Sequence, residues 1–172
     1  MTTPEGFGSL DDATSDEPAS VWMRFGARLI DSILISFAMS LVFIPLFIGS
    51  IFDSVDSSSG LFMSGLSIGQ IVASLVSTAI TIGYFVFLES SRGQTVGKML
   101  LSIKVVGPTG ANPEVDTSLR RNLWLAISLI PIVGGLLQFA AAIYIMVTIN
   151  NSPIGQGWHD VMAGGTRVIR TR

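Results

Sequence analysis

Three long stretches without a charged side chain constrain this chain more than any other feature. They cover residues 32–52, 57–88 and 122–158, and each is at least as long as the roughly 20 residues that cross a bilayer core as a helix. Hydrophobic residues make up 49% of the chain and charged residues only 13%, with a mean hydropathy of +0.62. Because soluble domains are more polar than this, the sequence predicts an all-α integral membrane protein.

The third stretch differs from the first two because helix-breaking residues interrupt it. Pro131, Gly134 and Gly135 lie together in "PIVGG", and proline and glycine destabilise a helix interior. We therefore expect two full transmembrane helices followed by a broken third apolar element. We expect that element to be a hairpin of short helices that returns to its starting side, although residues 132–149 alone could nearly make a single crossing.

The basic residues predict the orientation of these helices. Lys and Arg concentrate on the cytoplasmic side of membrane spans, and the loop at about 89–121 carries five of them. The first loop, "DSVDSSSG", has two acids and no base. We therefore expect the N terminus and the large loop to be cytoplasmic. A returning hairpin would also keep the tail at about 150–172 in the cytoplasm.

The segments outside the predicted spans differ in character. "LSIKVVG" and "GGTRVIR" are short β-like runs, and we expect them to form a small β-like patch on the cytoplasmic side. The first 20 residues hold five acids and no base among Pro, Gly and Ser residues, which predicts a disordered acidic leader. Residues 21–172 would then form a single membrane domain.

A stripe of small residues follows one face of the second predicted helix. Its members recur every four residues: Gly65, Gly69, Ala73, Ser77 and Thr81. Small residues allow two helix backbones to approach closely, so we expect this stripe to pack on the first helix. Contact with another subunit and a substrate path are the alternatives.

Charged residues at the start of the first predicted helix also share one face. Arg24, Arg28 and Asp31 are separated by four and three residues, so they lie one above the next. We expect them to neutralise each other at the cytoplasmic end, with Asp160 or Lys98 completing the cluster. In the alternative, Asp31 binds a cation or a proton and a nearby arginine sets its pKa.

The segment "WHD" contains the single histidine, His159, beside Asp160. These two side chains either hydrogen-bond the cytoplasmic loop or relay protons. One histidine in a cysteine-free chain cannot build an ordinary zinc site, and no serine is spaced to indicate a catalytic triad. We therefore expect no metal, no cofactor and no enzymatic activity.

The loop motif "GQTVGK" resembles a phosphate-binding loop only superficially. Its residues of interest are Gly93, Gln94, Thr95, Gly97 and Lys98. The spacing is one residue short of G-x-x-x-x-G-K-[ST], and Met99 replaces the final Ser or Thr, so nucleotide binding is not expected. A tight cytoplasmic turn is predicted instead, in which Lys98 neutralises a buried acid or a lipid phosphate.

Four segments together resemble the RDD family of bacterial and archaeal membrane proteins. They are "RFGARLID", "GQTVGKMLLSIKVV", "LRRNLWL" and "WHDVMAGGTRVI", in that order, and the resemblance spans residues 21–169. It implies that the arginine and two aspartates of the family name correspond to Arg24, Asp31 and Asp160. The third apolar stretch is shorter here than in many members, so the helix count is not carried over. For some members the family implies transport, with sodium–proton antiport suggested.

These observations support two hypotheses about function. The first is a small transporter, or a transporter subunit, that moves a monovalent cation or a proton. Since so few spans cannot readily enclose a pathway, it would require a homo-oligomer or a membrane-protein partner. The second is a non-transporting membrane scaffold that recruits or stabilises a partner protein. In both, the surroundings are the lipid bilayer, and no nucleic acid is expected to bind.

Overall fold

A computed structural model describes residues 17–56 and 68–171 of the 172-residue chain, which are mostly helical. The elements are α1 (Val21–Asp56), α2 (Ile68–Arg92), α3 (Val96–Leu100), β1 (Ile103–Val106), α4 (Val115–Asn122), a 3₁₀ helix (Leu123–Leu129), α5 (Gly134–Asn151), α6 (Trp158–Met162) and β2 (Arg167–Arg170). The predicted all-α membrane class with a small β patch is confirmed.

Three of the helices are long and apolar enough to cross a membrane, judged by length and composition. The candidate spans are Val21–Ile44, Ile71–Arg92 and Gly134–Asn151. Large apolar side chains on all three are exposed in the single chain, as at Phe37 and Phe139. Contiguous apolar surface of this extent belongs against lipid or another membrane protein, which agrees with a multi-pass membrane protein.

The third apolar stretch is broken, as predicted. α5 begins beside the end of the 3₁₀ helix, where a Cβ on Gly134 would meet the carbonyl oxygens of Ile127 and Ser128 at 2.7 and 2.8 Å. α5 then packs along the 3₁₀ helix. The residues that flank the stretch meet, because Arg121 Nε donates to Asp160 Oδ1 at 2.7 Å. Both ends of the stretch therefore lie at the same end of the fold, as the hairpin prediction requires.

The two β-like runs pair as antiparallel strands β1 and β2, as predicted. A short segment of the leader joins their edge: Ala19 N donates to Val168 O at 2.9 Å, and Arg170 N donates to Glu17 O at 3.1 Å. The predicted leader boundary at residue 20 is therefore too late. Residues 1–16 lie outside the described residues.

A small apolar core lies between this sheet and the start of α1. Its fully or almost fully buried members are Ala19, Ala27, Ile103, Val105 and Val168. They alternate along the strands in the burial pattern of a sheet with one covered face. The core thus fixes the sheet, and the loops around it, against the N-terminal turns of α1.

The small-residue stripe does not have the partner expected from the sequence. Ser77 and Thr81 line a cavity of about 210 Å³ that the 3₁₀ helix and α5 close. Its other lining residues are Thr78, Leu125, Ser128 and Gln138. The expectation that the stripe packs on the first helix is therefore wrong at these two positions. Gly69 is exposed, Ala73 is half-buried, and Gly65 lies outside the described residues.

Candidate functional site

Seven ionisable side chains collect where α1 begins and α2 ends. They belong to α1, α2, α3, α4 and α6, so residues far apart in the chain are brought together. The set, called the charge network below, comprises Arg24, Arg28, Glu89, Lys98, Arg121, His159 and Asp160. Buried charges are costly unless they are paired and hydrogen-bonded, so the contacts decide what this network can do.

Asp160 is fully buried and is held by two arginines. Arg121 Nε donates to it at 2.7 Å and Arg24 Nη1 at 3.4 Å. Thr166 Oγ1 and Gly157 N donate at 3.0 and 3.1 Å. Desolvation alone would raise the pKa of Asp160, but the opposing charges, Arg121 first among them, hold it well below its usual range. Asp160 is therefore an ionised anchor that joins α1, α4 and α6.

Glu89, in the last turn of α2, is the second buried acid of the network. Lys98 Nζ contacts its Oε1, Arg121 Nη1 lies 3.2 Å from the same oxygen, and the Asn122 amide donates to Oε2 at 3.0 Å. The sequence predicted either a buried acid or a lipid phosphate as the partner of Lys98, and Glu89 is such a buried acid. Desolvation lowers the pKa of Lys98 to about 8 despite the partner. Desolvation also acts to lower the pKa of Arg121, but the charges of Glu89 and Asp160 outweigh it, so that pKa is raised.

Asp31 has other partners than the sequence predicted. Its carboxylate accepts hydrogen bonds from Tyr84 Oη at 2.8 Å, Gly97 N at 2.7 Å and Thr95 Oγ1. The expectation that Arg24 and Arg28 neutralise it directly is therefore wrong, because no ion pair joins them among the described residues. Asp31 instead binds the N-terminal turn of α3, whose backbone N–H groups favour a negative charge.

Arg28 is the arginine of the network that forms no ion pair with a described carboxylate. Its Nη1 donates to Asn122 Oδ1 at 3.1 Å, and its guanidinium lies 3.7 Å from the centre of the Phe85 ring and 5.3 Å from that of Trp124. In the described part of the chain, no carboxylate forms an ion pair with it, and its Nη2 has no hydrogen-bond partner. Its contacts are therefore aromatic and neutral.

Each residue of interest in "GQTVGK" has a distinct structural contact. Gly93 ends α2 with φ 71° and accepts a hydrogen bond from Val105 N at 2.7 Å. The Gln94 amide donates to Ile103 O at 3.0 Å. Of the remaining three residues, Thr95 and Gly97 donate to Asp31, and Lys98 contacts Glu89. The motif therefore ties α2, α3 and β1 to α1.

A cavity of about 100 Å³ lies against the charge network, between facing sides of α1 and α5. The α1 side contributes Val21, Arg24, Phe25 and Arg28, and the α5 side contributes Ala142, Ile145, Met146 and Ile149. Both sets have the spacing of one helix face. Its lining also includes Glu89, Lys98, Arg121, Asn122, Trp124, His159 and Val168. The cavity thus combines apolar walls with a basic end.

His159 borders this cavity and is neutral at physiological pH. Its Nε2 lies 3.5 Å from Asp160 Oδ1, and its Nδ1 has no hydrogen-bond partner among the described residues. Burial lowers the pKa of His159 to about 4, although Asp160 acts in the opposite direction. The described residues include no group of three His, Asp or Glu side chains that could hold a metal ion.

Sequence reasoning missed four residues that complete the site: Tyr84, Glu89, Arg121 and Asn122. The signal for Glu89 was available, since a lone lysine inside the apolar run "VGKMLL" requires a nearby acid. Arg121 stands beside Arg120 in "LRRN", and only helix phase decides that Arg121 is buried while Arg120 forms an exposed pair with Asp116.

Comparison with known proteins agrees with the resemblance seen in the sequence. The model of the RDD family matches residues 18–164. The uncharacterized membrane protein YteJ of Bacillus subtilis (strain 168) is 31% identical over 151 residues, which cover 87% of this chain and 80% of YteJ. The uncharacterized protein YxaI of the same organism is 25% identical over 162 residues, which cover 90% of this chain and 98% of YxaI. No solved structure matches the chain.

Proposed function

The chain belongs to the RDD family of membrane proteins, and from this premise we propose that it acts as a non-transporting, non-enzymatic membrane scaffold. One observation carries the proposal: Asp31, the acid inside the first candidate span, is fully buried and already accepts three hydrogen bonds. An acid with these contacts connects helices and is not free to bind a transported ion.

The chemistry of a carboxylate explains why this observation favours a scaffold. A carboxylate offers about four lone pairs as acceptor sites, and a bound cation would need oxygen ligands that face it. In Asp31, one oxygen accepts from Tyr84 and Gly97, and the other accepts from Thr95. Binding an ion there would break bonds that hold α3 and α2 to α1.

The other two buried acids support the same proposal. Glu89 is shared by Lys98, Arg121 and Asn122, and Asp160 is bound mainly by Arg121. Together with the bond from Arg24 to Asp160, these contacts join segments separated by up to 136 residues along the chain. These contacts cross-link one end of the molecule, and a partner protein could bind this end without a conformational change.

The partner of such a scaffold would be a second copy or another membrane protein. The support is the exposed apolar surface of the candidate spans, where Ile33, Phe37 and Leu41 on α1 and Leu136 and Phe139 on α5 are all more than 60% exposed. Lipid alone can cover this surface, but the same surface also gives a neighbouring transmembrane helix several wide faces on which to pack. No nucleic-acid partner is part of the proposal.

Asp31→Asn is the decisive variant. Asparagine keeps the shape but replaces the charge-assisted bonds, so we expect the free energy of unfolding to fall by about 2 to 3 kcal/mol. The matched control is Asp116→Asn, which removes an acid that is 65% exposed and is expected to leave stability within about 0.5 kcal/mol. Thermal unfolding of the purified chain in detergent measures both variants.

Flux through sealed vesicles tests the same proposal from the other side. We expect wild-type vesicles that contain pH- or cation-sensitive dyes to be indistinguishable from empty vesicles with Na⁺, K⁺ and Li⁺. Wild-type flux that Asp31→Asn abolishes without loss of melting temperature would reject the scaffold and establish cation or proton transport.

Transport of a monovalent cation or a proton is the second candidate, and one observation favours it. The cavity of about 210 Å³ along α2 has hydroxyl and amide side chains at most of its lining positions, including Thr78, Ser128 and Gln138. Polar groups inside candidate spans are costly and often mark a pathway. The flux measurement above decides between the two candidates.

A further inference from the structure

We propose that the cavity between α1 and α5 binds the phosphate of an anionic phospholipid, with Arg28 as the principal cation and the apolar sides of the two helices holding the acyl chain. This site goes beyond the scaffold function and does not depend on it. Four lines of evidence support it: the charge balance, the unpartnered Nη2 of Arg28, the composition of the walls and the position between two candidate spans.

The charge balance of the buried site is positive. Among the described residues, the buried carboxylates near the cavity are Glu89 and Asp160, which form ion pairs with Lys98, Arg121 and Arg24, and Asp31, which forms none. The four bases Arg24, Arg28, Lys98 and Arg121 therefore exceed these three acids by one charge. Arg28 forms no ion pair, and Glu89 and Asp31 act on its charge only from a longer distance. A buried cation without a paired counter-ion is costly, so an anion supplied from outside the chain would stabilise the site.

One buried donor at the cavity, Arg28 Nη2, lacks a hydrogen-bond partner among the described residues, and Arg28 lines the cavity. Arg121 Nη1 is not free in this way, because it lies 3.2 Å from Glu89 Oε1. His159 does not add a donor either, because its Nε2 faces Asp160 and Nδ1 of the neutral ring is then an acceptor. Buried donors are nearly always satisfied in folded proteins, and guanidinium groups match the oxygens of a phosphate in charge and geometry.

The walls decide between a free anion and a lipid. Phe25, Ala142, Ile145 and Met146 line the cavity beyond its basic end, and they lie on α1 and α5, two candidate spans. A volume of about 100 Å³ holds on the order of three waters, so it takes a phosphate group and not a whole lipid. Basic pockets between membrane helices are known to hold anionic headgroups in this way.

The test measures how lipids change the melting temperature of the purified full chain in detergent. Phosphatidylglycerol, phosphatidylcholine and inorganic phosphate are added separately at equal concentrations. We expect a rise with phosphatidylglycerol alone, since ligands that bind the folded state stabilise it. An equal rise with phosphatidylcholine would overturn the preference for an anionic lipid, and a full rise with inorganic phosphate would overturn the lipid assignment.

Arg28→Gln is the matched variant for the charge. Gln removes the charge but can still donate to Asn122, and we expect phosphatidylglycerol to bind on the order of ten-fold more weakly. Arg120→Gln is the control, because it removes the same charge from a side chain that is 63% exposed. If Arg28→Gln keeps the full lipid-induced rise, whatever its melting temperature without lipid, the proposal is wrong.

Ala142→Phe tests the site without touching a charge. Its larger side chain fills the cavity from the α5 side, so we expect the rise with phosphatidylglycerol to be lost while the charge network stays intact. This variant also carries the test if Arg28→Gln does not fold. A wild-type rise that persists in Ala142→Phe would show that the lipid binds elsewhere and would overturn the site.

Discussion

Arg121 and Arg28 have opposite surroundings although both are guanidinium groups in the same network. Arg121 has two carboxylates, at 2.7 and 3.2 Å, and its removal would leave two buried acids short of a partner. Arg28 has an amide oxygen and two aromatic rings. Arg121 therefore holds the chain together, whereas Arg28 has binding capacity left over.

His159 makes stability depend on pH. Its pKa is lowered from 6.5 to about 4 by burial, so between these values the unfolded chain binds more protons than the folded chain, and stability falls as the pH falls. From pH 7 to pH 5 we expect His159 to account for a loss of about 2 kcal/mol. The measurement is thermal unfolding in detergent over this range, and His159→Gln should flatten the profile. Equal slopes in the two proteins would contradict the assignment.

At the scale of elements, the short helix α3 lies directly against α1, and this close approach is possible because Gly97 has no side chain. A Cβ there would lie 2.1 Å from the Ala27 carbonyl oxygen, and Gly97 N donates to Asp31 at 2.7 Å. Because α3 has only five residues, it has little intrinsic stability. Its position, and with it that of Lys98, depends on this contact with α1.

Gly97→Ala should therefore destabilise the protein by about 1 to 3 kcal/mol or more, because the backbones must separate. Gly83→Ala is the control, since a Cβ at Gly83 meets nothing within 4 Å and alanine is the better helix former by about 1 kcal/mol. Melting temperatures in detergent should fall for the first variant and stay level or rise for the second. A Gly97→Ala chain as stable as Gly83→Ala would show that α3 is not held in this way.

The break in the third stretch could be predicted because proline and glycine act locally, whereas the partners of Asp31 could not. Helix periodicity places Arg24, Arg28 and Asp31 on one face, but it does not show which element will lie above that face. Here the donors come from a distant segment: α3 begins more than 60 residues after Asp31, and Gly97 N, 66 residues away, is one of the donors. These backbone and hydroxyl donors satisfy the acid without a cation. The small-residue stripe misled for the same reason, since it predicts close approach without naming the partner.

At the scale of the whole molecule, the charge network and the sheet bring residues 17–19, the large loop and the segment that contains β2 to one end. Glu17 to Ala19, β1 and β2 are hydrogen-bonded to each other, so these three segments share one side of any membrane. Hydropathy and charge patterning gave the spans and this grouping because both depend on composition. The counterpart of each charge, such as Glu89 for Lys98, emerged only from the packing of the chain.

The side on which this end lies stays a prediction, and the cysteine-free chain offers a direct test. The basic residues of the loop and tail predict the cytoplasm, so a cysteine added after Arg172 should resist impermeant thiol reagents in intact cells and react after lysis. The control is Ser58→Cys, in the first loop, which is expected to face outward and to react in intact cells. Ready labelling of the C-terminal cysteine in intact cells would contradict the orientation, and since the segments share one sheet, it would place residues 17–19 and the large loop on the outer side as well.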